Sequence, residues 1–480
     1  MSETFREWRF ERYEKLALIT AFASLLIFGM HIERRTALRR SLRFTDLGVY
    51  TRAAWAVRSG ENLYTVSDSN GLHYNYPPAL AILFTPLACP PWRDPATLPP
   101  EEQRTDANTP WGYDIAGHNQ FYGLHGENFR FFCIVWIWYG ISVVLEFLSV
   151  HLLASTLEGR KWTTGPPIES GRRWRWWALR AIPLVACIAS VDMDLSRGQT
   201  DLVMLAGISV ALYLAARNRE ITAGTFLALP AAIKFFPIVL LAYPIWHRRR
   251  RMMLGYVLGL LLFFALLPIG TFGLDRTIEL YRTWTNVLVK PGLGHGIEAT
   301  RAKELGMTAT DNQSLLALIH NWQYYNLPRD QRPPDAAASA RFAAYLISAL
   351  TILGIGIVSV RRPDSSPQKS LLVVGVLIGW SFILSPVVRN AYFLLLLPLL
   401  TALVDHRLPN RICHFRDLRV PPAVVFFMVT DMLVRVPGIG GWLRDLGLPL
   451  LSVIWLMGAG AAVLFGEPAS EVSEYSQLQV

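Results

Sequence analysis

Long apolar runs alternate with short, arginine-rich stretches along nearly the whole chain. Leu16–Ile32, Phe129–Leu153, Met252–Phe272 and Phe342–Val360 are each apolar over a length that, at ~1.5 Å per residue, approaches or exceeds a ~30 Å hydrocarbon core. Other runs come in short pairs. Leu179–Val191 and Leu202–Ala216 flank a polar tip, Asp192–Asp201. Ile221–Ile233 and Phe235–Trp246 flank Lys234 alone. Leu371–Asp405 is interrupted at Ser385–Asn390, and Ala423–Val436 pairs with Leu448–Leu464. The pattern predicts an all-α polytopic membrane protein of roughly 11–13 membrane helices, several short and broken. Non-helical backbone at membrane depth is tolerated only where it lines a protein cavity. Several broken tips on one face therefore predict a cavity open to that face.

The basic residues orient the pattern. Arg6, Arg9, Arg12 and Lys15 place the N-terminus in the cytoplasm, and Arg217–Arg219 and Arg248–Arg251 fall on the same side. Lys234 then becomes the external tip of a hairpin, and Ser385–Asn390 the tip of another. Residues 33–78 form the first external loop, although Arg34, Arg35, Arg39, Arg40 and Arg43 strain the positive-inside rule there. Residues 91–128 read as a polar insertion, 273–340 as a large external loop, and 466–480 as an acidic cytoplasmic tail behind a single membrane domain, 1–465. Parity fails only between 77 and 154. Either Ala79–Pro91, short and broken by prolines, does not cross, or the basic linker Glu158–Arg175 is external; the first is preferred.

Composition agrees with this reading: 480 residues, 52% hydrophobic and only 17% charged, with a mean hydropathy of +0.30. The net charge of +10 lies beside the membrane runs, so it suits anionic lipid and excludes nucleic acid as a partner. Four scattered cysteines form neither a metal motif nor a disulfide framework. No cofactor is implied, and no phosphate loop, dinucleotide fingerprint, zincin helix or nucleophile elbow is present.

Chemistry concentrates in Ser41–Pro78. Asp46 stands at the start of an amphipathic run (Tyr50, Ala53, Ala54, Val57), the pattern of a short interfacial helix whose Arg52 and Arg58 reach toward headgroups. Gly60 ends it, and Tyr76-Pro77-Pro78 closes the loop. The ordered pattern of Asp46, Tyr50, Gly60, Leu63, Tyr64, Tyr76, Pro77 and Pro78 after a first span resembles the first external loop of glycosyltransferase family 87. Those are membrane enzymes of the GT-C type that use polyprenyl-phosphate sugars. The resemblance recurs at Ala223, Gly224, Lys234 and Pro237, at Gly198-Gln199, at Asn312-Gln313-Ser314 and at Ser385-Pro386 with Tyr392. It covers the first span to about Pro398 and leaves out 91–128. Two positions depart from it: Asp201 stands where Asn is usual, and Ala391 where a His is usual.

The resemblance implies that Asp46 is the catalytic base; an N-cap is the local alternative. Lys234, an ionisable residue in an apolar run, is expected to bind phosphate, with snorkelling to the interface as the alternative. Tyr50, Tyr76, Arg197, Gln199, Asp201, Asn312, Gln313 and Arg389 complete the expected substrate site. The acids Asp192, Asp194 and Asp201 with Arg197 suit a divalent metal, sugar hydroxyls or a plain polar turn equally well, so no metal ligand is assigned. Asp311 or Asn312 also reads as a helix cap. The expected activity is inverting transfer of a hexose, with mannose a candidate, from a polyprenyl-phosphate carrier to an extracytoplasmic lipid or glycan. A lipid or solute transporter, or flippase, is the alternative, since broken helices with midplane polar groups fit it too. An inactive relative is a third reading.

Overall fold

The computed structural model describes residues 3–36, 46–66, 72–89, 126–292, 305–361, 366–412 and 417–466. Among these the protein is helical throughout and has no β-strand. The residues 91–125 of the polar insertion, Arg39, Arg40, Arg43, Thr45, Cys413 and the tail 467–480 lie outside the described residues.

Among the described residues six helices are long and apolar enough to cross a membrane: Glu14–Glu33 within α1 (Glu3–Thr36), Phe131–Leu157 within α4 (Gly126–Leu157), Arg250–Phe272 (α10), Ala338–Ile357 within α13 (Ala338–Arg361), Pro367–Leu384 (α14) and Leu448–Phe465 within α18 (Leu448–Gly466). Four shorter apolar helices accompany them: Asp201–Ala215 (α7), Glu220–Ile233 (α8), Phe236–Trp246 (α9) and Pro422–Leu433 (α16). Ser170–Ala186 (α5) and Leu397–Arg407 (α15) add two more short helices to the bundle. The chain is thus a membrane-embedded helical protein. Its core is the set of helices that hide most of their surface from lipid. In α14, residues 371–383 are all buried, while α1 and α13 expose most of theirs.

Close approach of backbones organises one side of the bundle. A β-carbon on Gly224 would sit 2.0 Å from the Met252 carbonyl oxygen, and one on Gly255 would sit 2.0 Å from that of Ile221. Small residues therefore let α8 and α10 touch backbone to backbone, as membrane helices do when packing rather than hydrophobicity must hold them.

The segment expected to form the first external loop differs from expectation in one respect. The helix α2 (Asp46–Ser59) forms, but Arg52 does not reach outward; it is 1% exposed, and Leu47–Ala54 are all buried. The cause is the segment after it. The helix α3 (Pro78–Leu83) and the 3₁₀ turn Thr85–Leu87 pack across α2, and the Cys89 N–H donates to the Thr51 carbonyl at 3.1 Å. At ~1.5 Å per residue this six-residue helix is about 9 Å long, far shorter than a ~30 Å hydrocarbon core.

A second difference concerns the tip at Asp192–Asp201. It is helical as far as Arg197: α6 (Ile188–Arg197) starts after a break at Cys187 and ends on Gly198, so only Gly198–Thr200 form a turn before α7. The stretch 273–340, expected as a large external loop, is likewise helical in part among its described residues. The helix α11 (Leu274–Trp284) follows α10 after Gly273, and α12 (Leu315–Gln323) follows later. The helix α17 (Ile439–Asp445) joins α16 to α18.

Candidate active site

The first turn of α2, the end of α6, the break between α8 and α9, the tip after α14 and the extended segment 72–77 surround a cavity of about 560 Å³. One wall is apolar: Phe235, Phe236, Ile238, Val239, Leu288, Val289, Leu305 and Leu384. The other carries Asp46, His73, Asn75, Tyr76, Arg197, Gln199, Lys234, Ser385, Arg389 and Tyr392.

Asp46 is the first residue of α2, and Gln199 donates from Nε2 to its Oδ2 at 2.6 Å. Its Oδ1 accepts no hydrogen bond among the described residues. Gln199 is aimed by the turn that carries it. Gly198 caps α6 in the left-handed region (φ 62°, ψ 41°), and the Gln199 N–H returns to the Asp194 carbonyl at 3.0 Å. A β-carbon on Gly198 would lie 2.8 Å from Leu47 Cβ, so glycine alone lets this turn close on α2.

Lys234 sits where α8 stops. Its own backbone is extended (φ −131°, ψ 123°), which turns the side chain into the bundle. It is no exposed or snorkelling tip: the residue is 4% exposed, Nζ lies 2.6 Å from Asp201 Oδ1, and it stands 3.9 Å above the Tyr392 ring. Asp201 opens α7 and donates its N–H to Asp194 Oδ1 at 3.1 Å. Both acids are fully buried, so the acidic tip backs the lysine instead of facing the cavity. The remaining acid, Asp192, turns away and pairs with Arg435 at 2.7 Å.

Four tyrosines fix 72–77 against α2. Tyr50 and Tyr76 meet edge to face with hydroxyls 3.4 Å apart, Tyr64 donates to the Tyr76 carbonyl at 3.0 Å, and Tyr74 donates to the Pro77 carbonyl at 2.6 Å. Burial first, then Tyr76 and Asp46, pushes the Tyr50 hydroxyl well above its usual value; burial and Asp46 do the same to Tyr76. Both phenols therefore remain protonated beside the Asp46 carboxylate.

The three cavity cations differ in their partners. Lys234 is paired with Asp201, and Arg389 with Asp311. Arg197, on the last turn of α6, has no acidic partner among the described residues.

Of the ten residues expected at the site, six line this cavity: Asp46, Tyr76, Arg197, Gln199, Lys234 and Arg389. Tyr50 and Asp201 stand directly behind it, against Tyr76 and Lys234. Asn312 and Gln313 are not brought to it. The Asn312 amide donates to the carbonyls of Met307 and Pro386, each at 2.8 Å, and accepts from the N–H groups of Ser314 and Val388 at 3.0 and 2.8 Å. Gln313 donates to the Thr310 carbonyl at 3.1 Å, and its N–H binds the Val388 carbonyl at 2.7 Å. The cap of α12 is Ser314, whose Oγ accepts from the Ala317 N–H at 3.1 Å. Sequence reasoning assigned no role to His73, Asn75, Phe236, Tyr345 or Tyr392, all of which line the cavity. Two signals for them exist: the polar positions inside Leu72–Pro77, and the aromatic Phe236 following Lys234, which stacks on Tyr392 at 5.4 Å between centroids.

None of the curated proteins compared with the chain matches it. The family model for glycosyltransferase family 87 matches residues 74–386. That range includes the cavity residues from Asn75 to Pro386 and runs across 91–128; it stops short of Asp46 and Tyr50 on one side and of Arg389 and Tyr392 on the other. The match spans more than half of the sequence, and its residues build most of a cavity inside a helical membrane bundle: the chain belongs to glycosyltransferase family 87.

Proposed function

We propose that this glycosyltransferase moves a hexose, with mannose the first to test, from a polyprenyl-phosphate carrier to an extracytoplasmic lipid or glycan acceptor. Transfer inverts the anomeric centre, and Asp46 is the base. The observation that carries the reading is the pairing within one cavity, among the described residues, of one lining carboxylate whose Oδ1 accepts no hydrogen bond, Asp46, and one guanidinium without an acidic partner, Arg197.

The chemistry needs those two groups. The acceptor oxygen attacks C1 of the sugar and loses its proton to Asp46, while the bond from C1 to the phosphate oxygen breaks on the opposite face. Gln199 holds one Asp46 oxygen and leaves the other to take the proton. Arg197 can grip the departing phosphate with two N–H donors. Lys234 and Arg389, already paired with Asp201 and Asp311, add positive potential nearby without an excess of charge. The apolar wall from Phe235 to Val239, with Leu288 and Val289, suits the first isoprene units. His73, Asn75 and Ser385 offer hydrogen bonds to sugar hydroxyls. Asn312 and Gln313, expected to bind substrate, instead hold the wall in place.

The test offers purified wild type and Asp46→Asn a panel of polyprenyl-phosphate hexoses with membrane lipid extract. Release of polyprenyl phosphate with a new glycolipid is the readout. The variant is expected to lose roughly 10²-fold or more of the rate, the lower range of general-base effects. Full turnover by Asp46→Asn removes Asp46 as the base. No turnover by wild type with any donor removes the donor class.

A further inference from the structure

The helix α6 delivers three features of the cavity, Arg197, Gly198-Gln199 and the carboxyl of Asp194 behind Lys234, yet it is only ten residues long and broken at both ends. Something outside the cavity must fix its angle. Two residues one helical turn apart, Asp431 on α16 and Arg435 just after it, hold its first turn. Asp431, 3% exposed, accepts from the Ser190 N–H at 2.9 Å and from the Ser190 hydroxyl at 2.7 Å. Arg435 donates to the Ala189 carbonyl at 2.5 Å and pairs with Asp192 at 2.7 Å. Donor, acceptor and side chain at the start of α6 are thus all tied to the end of α16 and the turn that follows it. The opposite side of α6 packs on the 3₁₀ segment Asn390–Leu396, which bears Tyr392.

We propose that Asp431 and Arg435 are positioning residues for sugar transfer: they clamp the N-terminal turn of α6 so that its C-terminal turn presents Arg197 and Gln199 to the cavity. The clamp lies beyond residue 386, outside the matched range, so this chain's C-terminal helices take part in the site without touching substrate. A carboxylate is suited to the place, because Ser190 offers one of the N–H groups that the start of a helix leaves without a partner, at the positive end of its dipole. The inference rests on the reading of the cavity as the transfer site.

The experiment measures kcat and KM for the donor and, separately, binding of sugar-free polyprenyl phosphate to the full chain in nanodiscs. Asp431→Ala frees the turn. An error approaching 1 Å in Arg197 and Gln199 is expected to lower kcat/KM by about 10- to 100-fold. Asp431→Asn, which can still accept from Ser190, is expected to restore most of the loss. Ser190→Ala, which removes one of the two hydrogen bonds, should lie between them and serves if Asp431→Ala fails to fold. The decisive readout is coupling. In a background carrying both Arg197→Ala and Gln199→Ala, either change should cost less than about threefold, since both groups it positions are gone. Equal losses in both backgrounds, or no loss in either variant, would overturn the clamp. Wild type that neither turns over nor binds polyprenyl phosphate would overturn the reading of the cavity instead.

Discussion

Gly198 is the position where a single methyl group tests how the site is built. In the left-handed region an L side chain costs roughly 1–2 kcal/mol, and Gly198→Ala incurs that in full at φ 62°. The added carbon would also meet Leu47 Cβ at 2.8 Å, where 3.4 Å is ordinary contact. Leu47 Cβ cannot swing aside as a chain end can, so α2 must give by roughly 0.5 Å in a close-packed interior. The residue that moves with it is Asp46, and the turn that moves against it carries Gln199. With about 10²-fold at stake per ångström of misplacement, the expected loss of kcat is about tenfold. Gly60→Ala is the control: Gly60 has φ 77°, so the backbone cost is alike, but nothing lies within 4 Å of the new carbon. Both variants should lower the unfolding temperature by a few degrees, Gly198→Ala by more. Steady-state transfer should fall in Gly198→Ala alone. Equal activity in the two, or equal loss, would refute the argument that this turn sets the Asp46–Gln199 geometry.

Lys234→Met leaves the fully buried Asp201 without its cation and should destabilise the protein by about 3–5 kcal/mol, whereas adding Asp201→Asn should recover part of that; thermal unfolding of the three proteins that adds up independently would show that the pair is uncoupled. Asn312→Ala removes five backbone partners at once and should lower stability by about 3 kcal/mol in the same assay, against no change if the wall holds without it. His247 lies in the basic loop between α9 and α10, where burial first and then Arg249 push its imidazole down to about 4. Because the folded state gives up this proton more readily than the unfolded one, stability held above about pH 6.5 is lost as the pH falls toward 4. The unfolding temperature of His247→Gln relative to wild type should therefore rise across that window, and a constant difference would remove His247 as the cause.

Much of the bundle was legible because its signals are local. A lysine inside PAAIKFFP marks a helix break, and Ser385-Pro386 marks another; both breaks open on the cavity. The amphipathic stripe of α2 was legible for the same reason, but the burial of Arg52 was not. Periodicity describes one face of a helix, while the other was covered by 78–89, whose apolar run is too short to declare whether it crosses or caps. The acids near Asp192 show a different limit. Read as a loop, they form one cluster; on a helix, positions two apart diverge by about 200°, so Asp192 faces Arg435 while Asp194 faces Asp201. Asn312 carries a lesson about range. Its amide is taken up by residues 74 and 76 positions away, partners that no local pattern announces. The same holds for Ser190 and Asp431, 241 positions apart.

The strand-like tip Ser385–Arg389 and the start of α12 share five bonds: Asn312 to Pro386 and to Val388, Gln313 to Val388, Ser314 to Pro386, and Asp311 to Arg389. Two stretches far apart in the gene thus form one mechanical part. A graft intended to give this scaffold a relative's substrate preference would have to carry both stretches together. Exchanging either alone would leave carbonyls and N–H groups facing a partner cut to another pattern, and natural variation in the two stretches is expected to be inherited as a pair.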